Sequence, residues 1–207
     1  MTKASRRNSS ETSAKAARRL GFVVAGFVAG LAGLATLAYS GIARRAELGS
    51  ASIGGSFSMI DQDRRVVTNK ELEGRPYLVF FGYTHCPELC PTALFDISQV
   101  FKELGPDKKI AALFITVDPT RDTPETLKAY LDNFDPRIIG LTGDAKQIEA
   151  VVKAFKVYMR EAPDAKGDYL VDHTGVVYLM DKRGRFVNAF NLSKPPKDAA
   201  RDLEALL

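Results

Sequence analysis

Two periods of apolar and polar residues alternate along this chain, and the places where one gives way to the other mark its elements. Tyr77 to Phe81 is an unbroken apolar run with the length and composition of a strand buried on both faces. It stops at Gly82. After a short turn the period becomes helical: Leu94, Ile97, Phe101 and Leu104 fall on one face, and Pro91 suits a first helical turn, where a missing N–H costs nothing. Ile110 to Val117 predicts a second buried strand. Asp122 or Thr123 caps the next helix, with Pro124 in its first turn and Leu127, Tyr130, Leu131 and Phe134 inward. Ile138 to Leu141 reads as a short strand. Asp144 with Gln147 resembles a capping box, ahead of Ile148, Val151, Val152 and Phe155 at helical spacing. Glu161 to Asp168 reads as a polar loop. Val176–Met180 and Phe186–Phe190 flank a turn at Asp181–Gly184, and a last helix turns Ala199, Leu203 and Leu206 inward. Near the start, Phe57–Ile60 and Val66–Thr68 suggest a hairpin. The order is hairpin, β, α, β, α, β, α, hairpin, α. Such alternation predicts an α/β fold: a central mixed sheet, its inner strands parallel, flanked by helices.

The first 56 residues follow neither period. Leu20 to Ala43 holds 24 residues without a formal charge, about 36 Å as a helix and enough for a hydrocarbon core of about 30 Å. A cleaved signal peptide usually has an apolar region of only about 7–15 residues, which favours an uncleaved transmembrane anchor. Residues 1–19 form a basic tail, 20–43 the anchor, 44–56 a linker rich in Gly, Ser and Ala, and 57–207 the folded domain. Charge sharpens this division. The chain of 207 residues carries +4, but residues 1–43 alone carry +5, leaving the remainder at −1. The basic excess therefore belongs to the tail, and no nucleic-acid face is expected on the domain. Six basic residues before the anchor, against Arg44 and Arg45 after it, place the N-terminus inside and the domain outside. That is the periplasm for a bacterial inner membrane or the intermembrane space for a mitochondrial one.

Candidate chemistry gathers behind the first strand. Both cysteines of the chain, Cys86 and Cys90, lie in the strand-to-helix turn beside His85, each followed by a proline. Ligand sites in open α/β sheets lie beyond the carboxyl ends of the strands. Cys90 near a helix N-terminus is expected to favour thiolate. A spacing of four residues admits a disulfide, permitted in an exported domain, or a metal held by two soft sulfurs. Two sulfurs are too few for a closed zinc site or an iron–sulfur cluster, whereas Cu(I) is at ease with two thiolates and an imidazole. His173, just before an apolar strand, is a candidate third ligand, with Asp172 as a partner for its ring. His85 is an alternative ligand. Asp118, following its strand at the same edge, is either a turn-former or a group that supports the site or docks a partner.

Three pieces occur in order: F-F-G-Y-T-H-C-P-E-L-C-P, F-I-T-V-D-P-T-R-D-T-P and D-Y-L-V-D-H-T-G-V-V-Y-L-M-D. At these the chain resembles the Sco/SenC copper metallochaperones of cytochrome c oxidase assembly. The resemblance implies a thioredoxin-like fold after one N-terminal transmembrane helix. It also implies copper held by Cys86, Cys90 and His173 and delivered to the CuA centre of oxidase subunit II. A carrier of this kind performs no turnover. The alternative is an enzyme, a membrane-tethered thiol–disulfide oxidoreductase acting through Cys86 and Cys90. The C-x-x-x-C spacing, in place of C-x-x-C, and the lack of a proline before the Val176 strand weigh against it.

Overall fold

The computed structural model describes residues 30, 33, 34, 53–163 and 169–207. Gly30, Gly33 and Leu34 are helical; the rest of the expected anchor lies outside the described residues, among which no helix is long and apolar enough to cross a membrane. The domain starts inside the stretch read as linker, since the Gly54 N–H donates to the carbonyl of Ala154 and Ile53 packs against the core.

The elements in order are β1 (Ser58–Asp61), β2 (Val66–Thr68), a 3₁₀ turn (Asn69–Leu72), β3 (Tyr77–Gly82), α1 (Leu89–Leu104), β4 (Ala111–Thr116), α2 (Pro124–Leu131), β5 (Ile138–Thr142), α3 (Ala145–Ala154), β6 (Met159–Pro163), β7 (Tyr169–His173), β8 (Val177–Met180), β9 (Phe186–Ala189) and α4 (Pro196–Glu204). Seven strands form one sheet in the order β2-β1-β5-β4-β3-β8-β9. β3, β4 and β5 run parallel, and the strands flanking them are antiparallel.

The apolar runs explain the centre of this sheet. All residues of β3 and β4 are buried, so both faces must be apolar. Successive side chains leave by opposite faces. Leu78, Phe80, Ala112 and Phe114 meet α1, α2 and α4 on one side. Tyr77, Val79, Phe81, Leu113 and Ile115 meet α3, the 3₁₀ turn and the β1–β2 hairpin on the other. Burial of one large apolar side chain stabilises by about 1.5–3 kcal/mol, and these two clusters supply most of the core. The helix signals are realised as expected. Thr123, rather than Asp122, caps α2 by accepting from the Thr126 N–H, and Asp144 and Gln147 complete their box on α3.

One expectation is corrected. The stretch read as a polar loop from Glu161 begins inside a second, two-stranded antiparallel sheet of β6 and β7, with Met159 opposite His173 and Pro163 opposite Tyr169. This ribbon does not join the main sheet. Its outer face carries Arg160 and Asp172, and only Val171 is fully buried, so its alternation is faint in the sequence.

Gly82 ends β3 without a side chain because there is no room for one. A Cβ there would lie 2.6 Å from Phe114 Cε2 and 2.7 Å from Cys90 Sγ. Both neighbours are fully buried and have nowhere to retreat. Gly82→Ala is therefore expected to destabilise the domain by about 1–3 kcal/mol through overpacking, lowering the melting temperature by several degrees. An unchanged calorimetric Tm would refute this packing argument.

Candidate metal centre

The turn between β3 and α1 is folded by its own backbone and by one buried carboxylate. The Cys86 N–H donates to the carbonyl of Tyr83. Asp122, fully buried, accepts from the Thr84 N–H at 3.1 Å, from Thr84 Oγ1 at 2.6 Å and from Thr116 Oγ1 at 2.7 Å. Burial pushes the Asp122 carboxyl upward, against the hydrogen bonds from Thr84 and Thr116. The same carboxylate thus ties the cysteine turn to the end of β4.

Cys90 is the second residue of α1 and is fully buried; Cys86 is partly buried. Both are free thiols. The Cys90 N–H points at Cys86 Sγ, 3.4 Å away. His173, at the end of β7, brings Nε2 to 3.7 Å from Cys90 Sγ. Its Nδ1 lies 3.2 Å from the carbonyl of Thr174. A carbonyl only accepts, so Nδ1 donates to it, and Nε2 is the nitrogen that faces the sulfurs. The ring sits edge-on to Phe80 and Tyr83, with centroids 6.3 and 5.9 Å away. The two sulfurs and one imidazole nitrogen lie within 4.8 Å of one another. Two soft sulfurs and one borderline nitrogen form a donor set suited to a soft metal ion.

The expected helix effect falls on the other cysteine. Cys86 is held far below the usual thiol range, down to about 4, chiefly by the hydrogen bond from the Cys90 thiol. His173 and the backbone N–H groups of Cys90 and Glu88 add to this and outweigh its partial burial. Cys90 is pushed up by that same bond and by its own burial. The N-terminal amides of α1 point at Cys86, not at Cys90, whose sulfur is packed inside. The two thiols are coupled and titrate as a pair, with thiolate character favoured at the outer sulfur.

The remaining candidates are placed as follows. His85 is exposed and meets Thr84 Oγ1 at 3.0 Å; it lies in the turn, not on the strand. Asp172 points outward and pairs with Arg160 at 3.0 Å, both well exposed, so the Thr174 carbonyl, not Asp172, faces the His173 ring. Asp118 is buried, paired with the Arg121 guanidinium, and accepts from Tyr169 Oη at 2.9 Å. The roles of Asp122, Arg121, Tyr83 and Tyr169 were missed. The available signal was the charged run Asp118-Pro-Thr-Arg-Asp122 directly after a wholly buried strand.

Comparison with known proteins agrees with this geometry. The fold is of the thioredoxin-like class, with a dithiol in the first βα turn and an imidazole brought to it from the later ribbon. The family profile described as SCO1/SenC matches residues 45–207. The chain belongs to this family. A SCO2-like protein of Rickettsia felis is 40% identical over 152 residues, covering 72% of this chain and 74% of that protein. The structure of Bradyrhizobium japonicum ScoI with copper bound is 52% identical, superposes with a TM-score of 0.73, and covers 75% of this chain and all of that one. The structure of BsSco, described as having a disulfide switch and as a member of the Sco family of cytochrome c oxidase assembly proteins, is 25% identical at a TM-score of 0.58. It covers 75% of this chain and 93% of that one.

Asp122→Ala should leave one amide and two hydroxyls without their acceptor in a buried place, at a cost of about 1–3 kcal/mol. The cysteine turn would be freed with it, so alkylation of Cys90 in the reduced protein should speed up. A wild-type melting curve together with unchanged alkylation would show that this carboxylate holds nothing.

Proposed function

We propose that this chain is a membrane-anchored copper carrier. It binds one copper ion through Cys86, Cys90 and His173 and hands it to the CuA site of cytochrome c oxidase subunit II. The observation that carries this reading is the meeting of two sulfurs and one imidazole nitrogen within 4.8 Å, in a chain whose relative ScoI holds copper. Metal uptake releases the thiol proton that remains, and the outer thiolate is ready without further ionisation. The His173 imidazole completes a three-donor set. Three donors hold Cu(I) but leave it open to an acceptor with more or better-placed ligands, which is what a carrier requires.

The uncharged stretch from Leu20 to Ala43 and the basic tail before it support a single-pass anchor. The N-terminus is then in the cytoplasm or matrix, and the domain in the periplasm or intermembrane space. A reporter fused after Leu207 is expected to be active only outside the cytoplasm; cytoplasmic activity would contradict this topology.

A second reading has its own support. A low-pKa outer thiolate beside a buried, protonated partner is also the asymmetry of a thiol–disulfide oxidoreductase, with Cys86 attacking and Cys90 resolving. His173 separates the two, because a disulfide needs only the sulfurs. The full-length protein, reduced and kept anaerobic in detergent, is titrated with copper against a chelator and against zinc. We expect one copper bound in preference to zinc, and loss of that copper on replacing both Cys86 and Cys90 by Ser. His173→Ala should weaken binding by at least the ~10–100-fold that loss of a ligand's supporting group alone costs, while the Cys86–Cys90 disulfide still forms. Wild-type copper affinity in a folded His173→Ala would favour the oxidoreductase.

A further inference from the structure

His173 belongs to the β6–β7 ribbon, which among the described residues makes no ladder hydrogen bonds to the main sheet. What fixes the imidazole against the sulfurs is therefore whatever fixes the ribbon. One residue stands at the centre of those contacts. The Arg121 guanidinium lies over the Tyr169 ring, 3.7 Å from its centroid, and 5.6 Å from that of Tyr83. Its Nη1 donates to the carbonyl of Tyr169 at 3.1 Å, and its Nε pairs with Asp118. Asp118 in turn accepts from Tyr169 Oη. Tyr83 Oη accepts from the Val171 N–H at 3.2 Å while the Tyr83 ring rests against His173. The guanidinium is only 15% exposed and the Asp118 carboxylate 3%. Removal of one member of such a buried pair leaves the other uncompensated.

We propose that Arg121 is a positioning residue for His173. It clamps Tyr169 at the start of β7 by stacking on the ring and donating to the carbonyl, and so fixes the position in which the far end of that strand presents the imidazole to the two sulfurs. Its neighbour Asp122 serves the other half of the site by holding Thr84. Adjacent residues of one turn thus set the two halves separately. A planar guanidinium is required here, because a lysine ammonium supplies the charge but neither the flat stacking face nor the fork of donors.

The inference rests on the reading of Cys86, Cys90 and His173 as a copper site, and its test separates the two. Full-length protein in detergent, reduced and anaerobic, is titrated with Cu(I) against a chelator for wild type, Arg121→Ala, His173→Ala and the double variant, each beside a melting curve. Cu(II)-loaded samples give the nitrogen hyperfine coupling by electron paramagnetic resonance and the thiolate-to-copper absorption. A folded Arg121→Ala should bind copper about 10–100-fold more weakly. Its nitrogen coupling should be lost or altered while the thiolate absorption persists. The double variant should be no weaker than His173→Ala alone, because the two changes remove one interaction. If Arg121→Ala does not fold, Arg121→Lys is measured instead, with the same expected direction. Wild-type affinity and nitrogen coupling in the arginine variant, beside a weakened His173→Ala, would overturn this inference and leave the copper reading standing. Losses that multiply in the double variant would overturn it equally. Wild-type affinity in His173→Ala would overturn both.

Discussion

The level at which β3 and β4 end together decides where the chemistry lies. The two strands pair in parallel over six residues, from Tyr77 opposite Ala111 to Gly82 opposite Thr116. Their faces are apolar on both sides, so neither strand can slip by one residue without driving an aromatic ring into its neighbour's place. The Val117 N–H still donates to the Gly82 carbonyl at 2.8 Å, and beyond that bond the strands part. One continues into the turn that carries the cysteines, the other into the turn that carries Asp118, Arg121 and Asp122. The two turns emerge side by side, and Asp122 can reach Thr84 because the register leaves Thr116 next to Gly82.

Two buried carboxylates and a nearly buried guanidinium within five residues would be a heavy burden for a domain of this size if they were unpaired. The two carboxylates are satisfied by different parts of the chain. Asp122 is held by neutral donors, two hydroxyls and an amide; Asp118 is held by Arg121 and by the Tyr169 hydroxyl. Burying polar groups is tolerable where each finds a partner, and it makes geometry strict, since a small displacement leaves a donor or acceptor stranded. The surface pairs differ in kind. Arg160 with Asp172, both largely exposed, is screened by solvent and adds little, leaving the ribbon's outer face solvated.

Much of this architecture was legible beforehand because its signals are local. Unbroken apolar runs gave β3 and β4, and the Asp144–Gln147 capping box gave α3. The pairing of two prolines with two cysteines behind a buried strand gave the turn that bears the thiols. His173 was named as a ligand candidate, but its approach to Cys90 from 83 positions away follows from topology. The ribbon was hidden for a physical reason: Val171 is its one fully buried residue among those described, and Met159, Tyr169 and His173 pack only in part, beside polar contacts that have no periodicity. The choice between Asp122 and Thr123 as helix cap stayed open because an acid before Thr-Pro also satisfies the rule for a cap, and nothing local says that Thr123 caps while Asp122 turns inward. The contrast between Cys86 and Cys90 also escaped the sequence. A helix N-terminus acts on the group its amides point at, and that group is one turn earlier than the nearest cysteine.

The packing of Cys90 against Gly82 has one more consequence. The inner sulfur is closed off by Phe114 and the end of β3, while Cys86 and His173 border the solvent side. The cluster of two sulfurs and one imidazole is thus approachable from one flank. Reagents that attack sulfur should therefore reach the pair from that flank, meeting Cys86 before Cys90. The burial of a single thiol thus gives two cysteines four residues apart unequal access to solvent, a one-sidedness that their spacing in the sequence does not show.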